Sequence, residues 1–256
     1  MTRLILSSLP DIPMIYTGDD LVEIIWDGLA KAEIKIQYGD ILVLAQKIVS
    51  KAEGRWVNLV SIQPTAQAVE LAEKVEKDPR LVELVLRESN QILRTRVGTI
   101  IVEHRLGFVC ANAGIDHSNV AGEGNSTEEW VLLLPENPDS SSSIIRQILE
   151  SQTGVHLGVM IIDSHGRAWR QGVVGVAIGL SGLPGLVDMR GKNDLFGYNL
   201  RITTIGAADE LAAAASLLMG QANEGTPIVH VRGFPYTLCD GNLQELLRPK
   251  EQDLFR

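Results

Sequence analysis

The chain has 256 residues, 45% hydrophobic and 21% charged, enough to build a packed core and unlike the composition of a disordered chain. Its net charge is −9 with no basic stretch, which argues against a nucleic-acid partner; a phosphate-bearing ligand would have to be small and held by a few placed groups. Two cysteines, Cys110 and Cys239, make neither a disulfide framework nor a zinc spacing and predict buried thiols in a reducing, cytoplasmic protein.

The apolar run Leu4-Ile5-Leu6 is too short for a signal peptide. Residues 19–31 place Leu21, Ile24, Ile25 and Leu29 on one face of a helix, and after the turn Tyr38-Gly39-Asp40 residues 41–45 read as a buried strand. Periodicity predicts helices over 65–77 and 81–93, separated at Pro79. Residues 98–102 and 107–113 read as paired strands turning at His104-Arg105-Leu106, followed by a polar loop at 122–129 and a strand at 131–134. A helix over 140–152 can be capped by Asp139 or a neighbouring serine and ended by Gly154.

Strands follow at 155–162, 173–180 and 201–205, then an alanine-rich helix at 207–222 and a strand at 228–231. The longest uncharged run, 171–187, holds five glycines and Pro184, so it reads as tightly packed strand and turn, not a membrane span. Interleaved strands and helices predict an α/β class with α+β mixing, in one domain over 1–256 with a weakly marked division into two lobes near 195–200.

Three polar clusters stand directly after apolar strands, where rigid scaffolds present functional groups. The first, residues 45–55, has Lys47, Ser50, Lys51 and Arg55; it suits phosphate, or is simply a solvated charged loop. The second, residues 112–119, packs Asn112, Asp116, His117, Ser118 and Asn119, hard donors that suit magnesium or manganese, or an Asx turn in a hairpin. The third, Asp163-Ser164-His165-Gly166-Arg167, offers a carboxylate and a hydroxyl at the tip of the most apolar strand, or a type I turn. No P-loop, dinucleotide-binding glycine pattern, zinc histidine pair or serine-hydrolase elbow is present. The residues alone reach a cytoplasmic α/β protein with a metal and phosphate site.

These clusters also carry a resemblance. Leu9-Pro10-Asp11-Ile12-Pro13, Gly18-Asp19-Asp20-Leu21, Gly39-Asp40-Ile41, Ser50-Lys51-Ala52-Glu53-Gly54-Arg55, Asn112-Ala113-Gly114-Ile115-Asp116, Asp163-Ser164-His165-Gly166-Arg167 with Arg170 and Gly172, and Leu217-Leu218-Met219-Gly220-Gln221 through Val231-Arg232-Gly233 run in one order over nearly the whole chain. In this the sequence resembles the coenzyme F420-0:L-glutamate ligases (gamma-glutamyl ligases), in their stand-alone form. The resemblance implies a two-lobed ligase fold of its own, neither Rossmann nor P-loop.

It also implies Asp116 and Asp163 as ligands of one divalent ion, with Ser164 and Gln221 at a second. Some relatives carry glutamate where this chain has Gln221, whose amide oxygen brings no charge. The ions are Mg2+ or Mn2+, with K+ a further candidate. GTP contacts are implied for Leu9, Pro10, Asp11, Ile12, Gln46, Lys47, Lys51, Asn119, Met219, Gly220, Gln221, Ala222, Asn223, Glu224, Gly225 and Thr226. Lys51, Asp116 and Asp163 are the implied catalytic groups, and His117 and His165 are candidates for the general base.

The implied reaction is GTP-dependent: the carboxylate of a deazaflavin precursor is phosphorylated, and the amine of L-glutamate displaces phosphate. Further γ-linked glutamates are left open. The implied assembly is a homodimer with no membrane or nucleic-acid partner. Two alternatives stay open: another metal- and NTP-dependent carboxylate ligase or kinase, and a non-catalytic nucleotide-binding protein.

Overall fold

The computed structural model describes residues 3–120 and 129–254, so the polar loop expected at 122–129 lies, apart from Glu129, outside the described residues. In chain order the elements are β1 (Ile5–Ser8), α1 (Leu21–Lys31), β2 (Ile41–Ala45), α2 (Gln46–Ala52), β3 (Trp56–Asn58), α3 (Ala66–Val75), α4 (Pro79–Arg87), β4 (Ser89–Arg96), β5 (Thr99–His104) and β6 (Val109–Ala111). They continue with β7 (Trp130–Leu132), α5 (Pro138–Thr153), β8 (Gly158–Arg167), β9 (Arg170–Ser181), β10 (Val187–Asp188), β11 (Thr204–Ile205), α6 (Ala207–Met219) and β12 (Ile228–Arg232). The mixture of helices and strands in several sheets is the α/β class expected.

The main sheet has the order β1-β12-β2-β8-β9; β2 and β8 run parallel and the other neighbours antiparallel. Successive side chains of a strand face opposite ways. Leu42 and Leu44 accordingly join a core with Ile25 and Leu29 of α1 and Leu149 of α5, whereas Ile41 and Val43 join Leu211, Ala212 and Ala215 of α6. The sheet is thus the middle of three layers, which is why β2 is apolar at every position. A second core lies between α3, α4 and the β4-β5-β6 sheet, built on Val75, Val82, Val85, Ile100 and Val102; Phe108 packs against both it and the α1–α5 core.

Local chemistry sets the helix ends. Asp20 caps α1 by accepting from the Val22 N–H at 2.8 Å, and Thr65 caps α3. The cap of α5 is Asn137, not Asp139 or a serine, because Pro138 takes the first helical position, where its missing N–H costs nothing. Asp139 instead accepts from the backbone of Leu180 at 2.8 Å and Leu243 at 3.1 Å. Gly154 ends α5 in the left-handed conformation as expected.

Other expectations are corrected. The helix expected over 81–93 stops at Arg87, and its last residues belong to β4, because pairing with β5 overrides an ambiguous apolar pattern. The strand expected at 201–205 is only Thr204–Ile205, and the helix expected to 222 ends at Met219. Cys110 is buried but Cys239 is exposed. The glycine run packs tightly, but against helices: a Cβ on Gly175 would fall 2.5 Å from Ala212 O, and one on Gly179 2.4 Å from Pro138 C. No helix among the described residues is long and apolar enough to cross a membrane.

Candidate functional site

The parallel pair β2–β8 builds the site. Ala45 is in register with Ile162, so the first residues beyond each, Gln46 and Asp163, emerge side by side at one end of the sheet. The first polar cluster is not a solvated loop: the chain turns from β2 directly into α2, where Ile48 and Val49 pack into the core and Gln46, Ser50 and Lys51 are buried. The third cluster is neither a strand tip nor a type I turn; β8 runs on through Arg167 and pairs with β9, placing Asp163 and Ser164 inside a long hairpin.

A cavity of about 540 Å³ opens between these strand ends, the segment 12–15 and the loop 219–227 that follows α6, a size suited to a small organic ligand. Asp116, from the second cluster, does not itself line the cavity but stands against two residues that do. Its backbone bridges Leu132, and its carboxylate accepts from Gln46 Nε2 at 2.5 Å and lies 3.2 Å from Lys47 Nζ. Burial, then the neighbouring Asp163 charge, pushes the Asp116 carboxyl up to about 6, against the opposing pull of Lys47. Asp163 Oδ2 lies 3.1 Å from His165 Nε2. Ser164 Oγ donates to Gln221 Oε1 at 3.0 Å.

The donor chemistry fits a hard divalent cation. Two carboxylates repel each other across a partly buried gap, a hydroxyl and an amide oxygen stand beside Asp163, and the Lys47 ammonium already neutralises Asp116. Magnesium and manganese sites use one or two carboxylates completed by phosphate oxygens and water. Among the described residues no group of three His, Cys, Asp or Glu side chains is placed to hold a metal.

Lys51 supplies the other charge. It is 7% exposed, its ammonium lies 5.5 Å from the centroid of the Trp56 ring, and it lines the cavity. Burial and then the Lys47 charge lower its pKa, with Asp116 opposing. A buried lysine facing a cavity has the charge to hold an anion there. Asn119 Nδ2 donates to Ala222 O at 2.9 Å, closing the cavity between the second cluster and the loop after α6.

Of the expected residues, Ile12, Gln46, Lys47, Lys51, Asn119, Asp163, Ser164 and the run from Met219 to Thr226 line this one cavity. Leu9 does not: it is fully buried, and its N–H donates to Ile228 O. Pro10 and Asp11 do not line it either, and Pro13, Met14 and Ile15 do. His117 is exposed, whereas His165 is placed on Asp163. Ile48, Val120, Ile162 and Ser216 also line the cavity and were not singled out from the sequence, being apolar or small residues whose role depends on where the neighbouring backbone lies; Pro227, the end of the stretch that the resemblance lays along the nucleotide, lines it too.

The sequence model of the family described as F420-0:Gamma-glutamyl ligase matches residues 11–233. A coenzyme F420:L-glutamate ligase of Methanothermobacter thermautotrophicus is 47% identical over 247 residues, which is 96% of this chain and 96% of that relative. Proteins of the same name from Methanopyrus kandleri (45% over 246 residues, 94% and 93%) and Methanocaldococcus jannaschii (44% over 225 residues, 88% and 88%) are also similar.

Proposed function

The chain belongs to the F420-0:gamma-glutamyl ligase family and is a ligase, and on that premise we propose that it joins L-glutamate to a deazaflavin precursor acid at the expense of GTP. A carboxylate does not condense with an amine at neutral pH, because oxide is a poor leaving group. In the proposed reaction the terminal phosphoryl group of GTP passes to the acid's carboxylate, giving an acyl phosphate and GDP. The amine of glutamate then attacks the acyl carbon, inorganic phosphate leaves, and the amine's proton is lost.

The observation that carries this reading is that Asp163 and buried Lys51 line one cavity from separate segments, with Asp116 held directly behind its lining by Gln46 and Lys47 and close enough to Asp163 to feel its charge. Asp116 and Asp163 would hold one divalent ion and Ser164 with Gln221 a second; when bound, such ions neutralise and orient phosphate oxygens. Lys51 holds charge on the transferred group. His165 orients Asp163 through their 3.1 Å contact. The loop from Met219 to Thr226 and the segment 12–15 leave room for the nucleoside.

A homodimer is part of the proposal. Residues 187–205 form an arm whose base is the β10–β11 pair and whose far part leaves Leu195 99%, Phe196 95% and Ile202 88% exposed, an apolar surface suited to a second copy of the chain. The test of the reaction is incubation with the precursor acid, glutamate, GTP and manganese, followed by mass analysis. Addition of one glutamate with stoichiometric GDP supports the reading; GDP release that is independent of glutamate and acid overturns it.

A further inference from the structure

Both oxygens of the Asp116 carboxylate are engaged in the folded chain. Oδ2 accepts from Gln46 Nε2 at 2.5 Å, and Oδ1 lies 3.2 Å from Lys47 Nζ. The two donors are held very differently. Gln46 is 2% exposed, and its other end is fixed as well, since its Oε1 accepts from Ser50 Oγ at 2.9 Å. Lys47 lines the cavity, its side chain is 29% exposed, and besides Asp116 its ammonium meets Ser118 Oγ at 3.2 Å. Of the two, the lysine is the group that can leave. Its flexible four-carbon stem lets the ammonium swing into the cavity, whereas turning the Gln46 amide breaks two hydrogen bonds in the protein interior.

A divalent ion on Asp116 forces that departure. Magnesium lies about 2.1 Å from a carboxylate oxygen, so an ammonium left where Lys47 Nζ now lies would stand within about 5 Å of a dication bound to Oδ1. At that range, in a partly buried site, the repulsion is several times thermal energy. The displaced ammonium then needs a new anion. Among the described residues, the other carboxylates lining the cavity are Asp163, which shares the ion in the reading above, and Glu224, which accepts from the Ala222 N–H at 2.8 Å. A nucleotide supplies phosphate oxygens that both complete the ion's coordination and pair with an ammonium. Lys51 is not suited to this exchange, being 7% exposed and packed over the Trp56 ring.

We propose that Lys47 is a tethered cation that keeps the metal's place on Asp116 and passes to the nucleotide's phosphates when the ion arrives, so that ion and nucleotide bind cooperatively. The inference rests on the reading of Asp116 as a ligand of a divalent ion. Lys47 is thus a positioning residue with two opposed effects, which a fixed phosphate contact would not have. It weakens binding of the ion alone, by competition, and favours binding of the ion together with nucleotide. Linkage requires the reciprocal effect, the ion raising nucleotide affinity by the same factor.

The test is manganese binding to the full chain, followed by the electron paramagnetic resonance of the free ion, without nucleotide and with saturating GDP, corrected for the GDP–manganese complex measured without protein. Wild type is expected to hold manganese roughly tenfold or more tightly with GDP than without. Lys47→Met is expected to hold the ion alone roughly tenfold more tightly than wild type and to lose most of the gain from GDP. Lys47→Gln, which keeps a donor for Asp116 but no charge, should shift both values the same way and carries the test if Lys47→Met does not fold. Lys47→Arg, which keeps the charge, should bind the ion alone as weakly as wild type. A folded neutral variant that binds the ion alone no more tightly than wild type, or that keeps the full gain from GDP, overturns the exchange and leaves the metal assignment standing. Asp116→Asn checks that assignment separately: manganese affinity equal to wild type in both conditions removes Asp116 as a ligand, and the exchange with it.

Discussion

Lys47 Nζ lies 3.2 Å from Asp116 Oδ1, an ammonium group held against a carboxylate whose pKa burial has pushed up to about 6. Burial and the Asp163 charge load this carboxylate in the folded chain, and Lys47 relieves part of that load. A folded pKa above the unfolded value of 3.8 gives stability that is full below about 3.8 and lost as pH rises through about 6. At pH 7 the ionised carboxylate therefore opposes folding.

Asp116→Asn is accordingly expected to raise the stability of the metal-free chain at pH 7 by about 1–3 kcal/mol while lowering turnover by roughly a hundredfold or more. Thermal melting in chelator beside a GDP-release assay checks both. A variant that melts lower at pH 7 and turns over normally contradicts the placement of this carboxylate.

Lys51 is the buried cation of the cavity. Lys51→Met keeps the stem volume and removes the charge. The expected effect is a loss of roughly a hundredfold in kcat with a smaller change in melting temperature, since removing a buried charge also removes its desolvation cost. Single-turnover kinetics with GTP would separate lost chemistry from lost affinity.

His104, at the end of β5, gives the stability of the folded chain a pH dependence. It is fully buried, stacks on Phe108 with ring centroids 5.1 Å apart, and accepts the Leu106 N–H at 3.0 Å. Burial, then the Arg105 charge, lowers its pKa from 6.5 to about 4. Between those values the unfolded chain binds a proton that the folded chain refuses, so stability falls as pH drops from about 6.5 towards 4, by about 3 kcal/mol in all. Urea denaturation at pH 7.5 and 5 should show this loss in the wild type and a smaller one in His104→Asn.

Gly179 lies where β9 meets the start of α5, and a Cβ there would approach Pro138 C to 2.4 Å. Gly179→Ala should cost about 1–3 kcal/mol, because the obstacle is backbone that cannot rotate away. Denaturant midpoints measure it, and a neutral result would mean that α5 can shift.

The proposed dimer places Phe196 in an apolar contact. Phe196→Asp, on a side chain 95% exposed, should leave the monomer fold intact and shift sedimentation from dimer to monomer. A wild-type chain that sediments as a monomer removes the arm's assigned role.

Much was legible in the residues. Apolar runs marked β2 and the core of β8, helical periodicity marked α1 and α3, alanine content marked α6, and hard donors after apolar strands marked Asp116 and Asp163, because these signals are local: they depend on period, on intrinsic helix preference, or on side-chain chemistry. Other features belong to the assembled chain. That Gln46 and Asp163 emerge together follows from the parallel register Ala45–Ile162; that residues 46–52 are a buried helix follows from the core into which Ile48 and Val49 pack; that residues 89–93 are strand follows from β5. The load on Asp116 likewise comes from burial and from Asp163, far away in sequence. The sequence determined which groups are available and which stretches can be helix or strand. Tertiary structure alone decided which of them meet and what charge they feel, because pairing register, burial and Coulomb interaction depend on distance through space.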